Sequence, residues 1–372
     1  MRGKPLIRLS HSPLLKKRRV LQRATSRPKA TSPHVSLALR PSCLSIFNLK
    51  NISFVGPGAK SPTGGNYLDL VQGSVNPISN VSNKSSPGKR LRAAVEAENP
   101  LQLVGVINAY AAILAEKTGF KGLYLSGAGV ANASYAVPDV GITTLDDVLI
   151  DVRRITRATR LPLLVDADTG WGNPQRTVRE MIKAGAAGIH LEDQVEAKRC
   201  GHLGDKQLIG AGAMARRIES AIRGRTDPGF VIMARTDAIT GEGLGSAIER
   251  AIKYRDAGAD MIFAEALTEL EQYTRFAEAV QIPVLANVTE FGKTPLFSIE
   301  QLRRAGVSVA LYPLSAFRAM NAAALKVFRT IRMSGTQERL LTDMQSRSDL
   351  YKFLDYDPGA KSAWRRQSPY EH

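Results

Sequence analysis

LPLLVDADTGWGNPQRTVREMIKAGAAGIHLEDQ, residues 161–194, holds an apolar run, a polar step, an amphipathic stretch and a second apolar run. The run at 162–165 is too short for a helix and too apolar for a strand with one wet face, so it reads as a strand buried on both sides. The stretch at 177–184 has helical spacing and stops at Ala184 and Gly185, a helix-ending pair. The run at 188–191 repeats the first, which predicts a strand–helix–strand unit with parallel strands.

The same alternation continues on both sides. Further apolar runs stand at 103–107, 122–125, 230–234, 261–264, 283–286 and 307–311, and helical spacing recurs at 145–158, 213–222, 244–257 and 315–331. Eight such units predict an α/β protein with a closed (β/α)8 TIM-type barrel, a fold of about 250 residues, filling 93–333. The competing doubly wound sheet wants a GxGxxG turn after its first strand, and none is present.

Composition is globular, with 44% hydrophobic and 23% charged residues, which excludes a mainly fibrous or disordered chain. No run of 18 or more apolar residues occurs, so no transmembrane helix is expected. Cys43 and Cys200 are the two cysteines, too few for a disulfide framework.

The net charge of +17 belongs to the start of the chain: residues 1–92 hold 17 Lys and Arg against one acid, Asp69, and the rest is close to neutral. Residues 1–86, rich in Ser, Pro and Arg and without sustained periodicity, read as a disordered basic leader. An Arg-rich, acid-poor leader fits an organelle transit peptide. Other readings are an extension from a misassigned start, with a cytoplasmic protein, and a nucleic-acid patch at Lys16, Lys17, Arg18 and Arg19 on a non-catalytic barrel. No stacking aromatics or DNA-binding motif accompany that patch, so neither nucleic acid nor membrane is expected as a partner. Residues 87–372 form the second predicted unit.

A barrel keeps its chemistry at the carboxyl ends of its strands. The residues found there are Ser126, Gly127 and Ala128, then Asp166 and Asp168, Glu192 and Asp193, Arg235, Thr236 and Asp237, Glu265, Asn287 and Thr289, and Tyr312 through Arg318. Asp166 and Asp168, two apart on a strand, point the same way and suit Mg²⁺, which binds through one or two carboxylates and keeps places for water and substrate. The plainer reading is a loop cap or a partner for Arg235, and the further acids Glu192 and Glu265 argue against it.

Lys198, Arg199, Cys200, Gly201 and His202 form a polar loop, where the flanking positive charge favours a reactive thiol over an inert core cysteine. His190, inside an apolar strand, reads as a hydrogen-bonded core residue. No CxxC pair and no GxSxG elbow appears, which speaks against zinc and against a serine hydrolase.

DAD at 166–168, LEDQ at 191–194, KRCGH at 198–202, ARTD at 234–237, ANVTEFG at 286–292 and LYPLSAFR at 311–318 together resemble the 2-methylisocitrate lyases of the isocitrate lyase and phosphoenolpyruvate mutase superfamily. The likeness runs from about residue 86 to about residue 354. It implies Mg²⁺-dependent cleavage of 2-methylisocitrate to pyruvate and succinate in propionate breakdown, in a homotetramer that exchanges its C-terminal helix; Mn²⁺ is the substitute ion. That pathway places the protein in the mitochondrial matrix, with the plastid as the alternative.

In the roles the resemblance implies, Asp166 and Asp168 hold the ion. Ser126, Gly127, Ala128, Cys200, Gly201, Arg235, Glu265, Asn287, Thr289, Arg318 and Arg347 bind the tricarboxylate. Glu192 orders metal-bound water and the substrate hydroxyl, and Cys200 is the proton donor, served by Lys198, Arg199 and His202 on a loop hinged at Gly201. An isocitrate lyase-like or carboxyphosphonoenolpyruvate mutase-like activity is the alternative within the superfamily.

The sequence departs from the family at three places near the site. Ala128 stands where glycine is usual and adds a methyl, Glu196 stands where glycine is usual and adds a charge, and the run from Trp171 to Arg176 is a few residues short. The tail from Asp355 onward also does not match.

Overall fold

The computed structural model describes residues 85–196 and 206–359. Among them, eight parallel strands close into a barrel in sequence order: β1 (Leu101–Gly105), β2 (Gly122–Leu125), β3 (Leu163–Asp166), β4 (Gly188–Glu192), β5 (Val231–Thr236), β6 (Met261–Ala264), β7 (Val284–Asn287) and β8 (Val309–Tyr312). The ring closes where β1 pairs with β8, Leu101 opposite Val309 and Val104 opposite Tyr312.

The outer layer is α2 (Ala109–Lys117), α4 (Leu145–Thr156), α5 (Pro174–Lys183), α6 (Ala211–Arg223), α7 (Ile239–Asp256), α8 (Leu270–Val280), α9 (Ile299–Arg304) and α10 (Ser315–Ser334). α1 (Pro87–Ala97) precedes the barrel, a single turn α3 (Gly127–Gly129) follows β2, and α11 (Arg347–Phe353) ends the described chain. Local chemistry sets these limits. Thr144 and Asp147 close a capping box on α4, and Asn173 caps α5 with Pro174 in its first turn. Gly185, Gly258 and Gly306 take left-handed φ values just past α5, α7 and α9.

Two apolar cores divide the molecule. One lies between strands and helices; the other fills the barrel with Leu103, Leu164, Val231, Met233, Phe263 and Leu311 and is stoppered by Leu91 and Val95 of α1. A Cβ at Gly88 would stand 2.3 Å from the Gly229 backbone, so only glycine lets α1 approach this closely.

The expected strands are all present, with two corrections. β1 lies two residues earlier than expected, because Gly105 passes so near Pro313 that a Cβ there would overlap its carbonyl, and the chain leaves the ladder. Several other strands run past their apolar stretch and take in Asp166, Glu192, Arg235 and Asn287, whereas Asp168, expected on the same strand as Asp166, lies beyond β3 with a left-handed φ of 47°. Residues 1–84, the expected leader, lie outside the described residues.

Candidate active site

Successive side chains of a strand face opposite ways, so each inward row can be followed upward. Leu164 leads to Asp166, His190 to Glu192, Met233 to Arg235, Phe263 to Glu265, and Leu285 to Asn287. The period that fills the barrel with apolar side chains also delivers the polar ring at its mouth.

Asp166 ends β3 at the mouth of the barrel. Its Oδ2 accepts from the Gly127 amide at 3.1 Å and its Oδ1 from the Asp168 amide at 3.1 Å. Beneath it His190, read from sequence as a core residue, is fully buried, with Nε2 3.5 Å from Asp166 Oδ1. Tyr124 OH and His190 Nε2 share a hydrogen bond of 2.8 Å, the two rings stack, and Phe263 meets the imidazole edge-on. Burial, reinforced by Asp166, drives the Tyr124 phenol well above its ordinary range and keeps it neutral.

The Cβ missing at Gly127 would stand 3.1 Å from Asp166 Oδ2 and 3.3 Å from Asp168 Oδ1. Two carboxylates from one strand end thus border a single small space that glycine leaves open. Among the described residues no group of three or more His, Cys, Asp or Glu side chains is arranged to hold a metal. A pair of aspartates with room for water is the donor set Mg²⁺ uses, so these residues fit that ion. Gly127→Ala is expected to crowd this space at a cost of about 1 kcal/mol or more. A metal titration of activity should show a requirement raised about fivefold, and the melting temperature should fall by a few degrees.

Arg235 is the cationic counterpart. Its Nε and Nη2 donate to the two oxygens of Asp237, both at 3.0 Å; Nη1 lies 3.4 Å from Glu192 and Nη2 3.9 Å from Glu265. Burial opposes its charge, but the carboxylates of Asp237, Glu192 and Glu265 outweigh burial and fix the guanidinium in its protonated form. Asn287 Nδ2 donates to Glu265 at 3.3 Å, and buried Thr289 follows two residues on. Ser126 is buried at the start of α3, with Gly127 buried and Ala128 half-buried beside it.

A cleft of about 250 Å³ opens beside Asp168, lined by Gly141, Thr169, Trp171, Gly172 and Glu196. Glu196 and the shortened run after Trp171 therefore meet at one edge of the site.

Arg318 sits on α10 with its guanidinium 5.3 Å from the Phe291 ring centroid and its Nε 3.7 Å from Glu290. Arg347 is exposed in the first turn of α11, which packs on α2 in the outer layer, and the structure does not bring it to this ring. Lys198, Arg199, Cys200, Gly201 and His202 lie outside the described residues.

Sequence reasoning placed Asp193, Thr236 and Asp237 at the strand ends without roles and missed that they form a second buried layer with Tyr254 and Lys206. Asp193 accepts from Thr236 Oγ1, the Asp237 amide and Tyr254 OH, at 2.9, 2.9 and 2.8 Å. Lys206 pairs with Asp237. The inward parity of β5, continued from Arg235 to Asp237, was the available signal.

A closed barrel with paired aspartates at the end of β3 and a carboxylate-framed arginine on β5 belongs to the barrel enzymes described by the phosphoenolpyruvate phosphomutase model, which matches residues 91–332. The 2-methylisocitrate lyase of Escherichia coli (strain K12) is 58% identical over 275 residues, spanning 73% of this chain and 93% of that protein. A crystal structure of 2,3-dimethylmalate lyase, a PEP mutase/isocitrate lyase superfamily member, aligns with a TM-score of 0.68 and 31% identity, covering 73% of this chain and 93% of that one. Phosphonopyruvate hydrolase, solved in complex with oxalate and Mg²⁺, aligns with a TM-score of 0.64 and 28% identity, covering 73% and 95%. The chain belongs to the phosphoenolpyruvate phosphomutase family and, within it, to the 2-methylisocitrate lyases.

Proposed function

We propose that this chain is a Mg²⁺-dependent carbon–carbon lyase that cleaves 2-methylisocitrate to pyruvate and succinate. The observation that carries the reading is the convergence of Asp166 and Asp168 on one space, with Arg235 held protonated across the same ring. When bound, Mg²⁺ would act as a Lewis acid on the carboxylate and hydroxyl oxygens of the departing pyruvate unit.

The protein's residues supply the rest. Ser126 and the amides of α3, together with Arg235, Asn287, Thr289 and Arg318, bind and orient the carboxylates of a substrate whose charge demands several fixed donors. Glu192 and Glu265 order the water and the substrate hydroxyl, and the proton that the hydroxyl loses passes to the Glu192 carboxylate. As that O–H electron pair becomes the pyruvate carbonyl, the C–C bond breaks and its electrons pass to the succinate carbon. Cys200 then gives its thiol proton to this carbon, and Lys198, Arg199 and His202 stabilise the charge and restore the proton.

Steady-state assays with Mg²⁺ and either 2-methylisocitrate or isocitrate test the substrate. One methyl is worth about 1 to 3 kcal/mol, so about a 10- to 200-fold preference for the methylated acid is expected. A preference for isocitrate would overturn the assignment.

The assembly we propose is a homotetramer with exchange of the C-terminal helix. Its support is α10, whose only buried residue is Thr330 and whose Met320, Leu325, Phe328, Ile331 and Met333 are exposed. Exchange would also carry Arg347 toward a neighbouring subunit. Phe328→Glu is expected to shift the species seen by light scattering to smaller assemblies; an unchanged mass would remove this face from the interface.

The leader is proposed to direct the protein to the mitochondrial matrix, on its composition and on the pathway. A fluorescent reporter fused to residues 1–86 tests it, and a diffuse cytosolic signal would overturn it.

A further inference from the structure

The chain that leaves β4 returns to α6 through a short backbone clamp. Val195 N–H donates to Gln207 O and Ile209 N–H to Asp193 O, both at 2.9 Å, with Gln194 bridged to Leu208 in antiparallel fashion. At the edge of this clamp stands Lys206, its side chain 5% exposed and its Nζ on Asp237 Oδ1. The same carboxylate receives the Arg235 fork on both oxygens and Gln194 Nε2 at 3.3 Å. Asp237 is therefore a junction between the returning chain and the arginine at the barrel mouth.

We propose that Lys206 and Asp237 are positioning residues that set the orientation of Arg235 and its availability to a substrate carboxylate. This rests on the lyase reading above, in which Arg235 binds substrate. Arg235 faces the carboxylates of Asp237, Glu192 and Glu265 where an anionic substrate must dock. Lys206 offsets the charge of the one that Arg235 grips with two donors. It also shares Asp237 Oδ1, so Asp237 holds the guanidinium plane by a two-point grip without monopolising its charge. Compensation of a buried carboxylate alone would call for a cation anywhere beside Asp237. A cation rooted at the clamp does more, because it sets Arg235 in register with the chain entering α6.

The test is steady-state kinetics of full-length Lys206→Met, Lys206→Arg and Asp237→Asn with 2-methylisocitrate and Mg²⁺, alongside thermal melting. Loss of an interaction made equally to substrate and transition state raises KM and spares kcat. Lys206→Met is expected to raise KM about tenfold with kcat within about threefold, about 1.4 kcal/mol of binding. Lys206→Arg, which keeps the charge, should bring KM back to near the wild-type value. Asp237→Asn, which keeps the shape and halves the grip, should also raise KM.

A lowered melting temperature with wild-type KM in Lys206→Met would overturn the inference, as would a fall in kcat at unchanged KM. If Lys206→Met does not fold, Asp237→Asn decides, and a wild-type KM there sinks the idea. Wild-type protein that turns over no 2-methylisocitrate would instead overturn the lyase reading itself, and this inference with it.

Discussion

Cys200→Ser is expected to lower kcat about 10²- to 10⁴-fold, the range a positioned general acid supplies, while the Kd for substrate stays within a few-fold of wild type. The exchange of sulfur for oxygen barely changes the size of the group. It changes acidity greatly: an ordinary thiol has a pKa of about 8.5, and a serine hydroxyl lies far above any value at which it could release a proton to a carbanion on the time scale of turnover. Since the donor must hold its proton, the pH profile has a definite sign. Activity should fall on the alkaline side as the thiol ionises. Single-turnover measurement with calorimetric binding separates the two quantities. Turnover retained in Cys200→Ser would remove the thiol from the mechanism, whatever the KM.

The barrel was legible because both of its periods are written in the sequence. Runs such as 162–165 are uniformly apolar since they are buried on both faces, and the helix between that run and the next ends in an Ala-Gly pair, Ala184–Gly185, where Gly185 adopts positive φ. The ring was legible for a related reason. Residues that interrupt an apolar strand at its carboxyl end, among them Asp166, Glu192, Arg235 and Glu265, have no cause to be polar unless they face a site. What could not be read was the pairing among them. No spacing announces that Arg235 closes on Asp237, since an arginine on β5 can reach acids on several strands equally well. Nor does sequence reveal that Lys206 folds back 31 residues in chain distance onto the same carboxylate. The end of β1 was misplaced for a different reason: apolarity continues to Ile107, while the strand stops at Gly105, which passes close to Pro313. His190 was read correctly as a satisfied core residue, but its place under Asp166 depends on the strand register, Asp166 opposite His190, which sequence does not supply.

Asp166→Asn is expected to reduce kcat/KM at least about 10³-fold, because a Lewis acid contributes several kcal/mol of charge stabilisation to the transition state, and to abolish the response of the protein to Mg²⁺. A second readout is independent of turnover. In the metal-free protein Asp166 and Asp168 set two carboxylates around one small space, so neutralising one relieves like-charge repulsion. Asparagine, however, keeps only one acceptor where Asp166 takes both the Gly127 and the Asp168 amides, so the melting temperature of Asp166→Asn without metal should fall modestly below that of the wild type. Wild-type protein at 100 times its metal Kd should gain about 2.7 kcal/mol of stability, and the variant should gain almost none. The Mg²⁺-induced gain, present in the wild type and lost in the variant, separates a metal ligand from a structural carboxylate. If Asp166 served only to accept the Gly127 and Asp168 amides, its replacement would leave the Mg²⁺-induced rise intact. That outcome would place the ion elsewhere and would undo the assignment of the β3 aspartates as the pair that positions the bond to be cleaved.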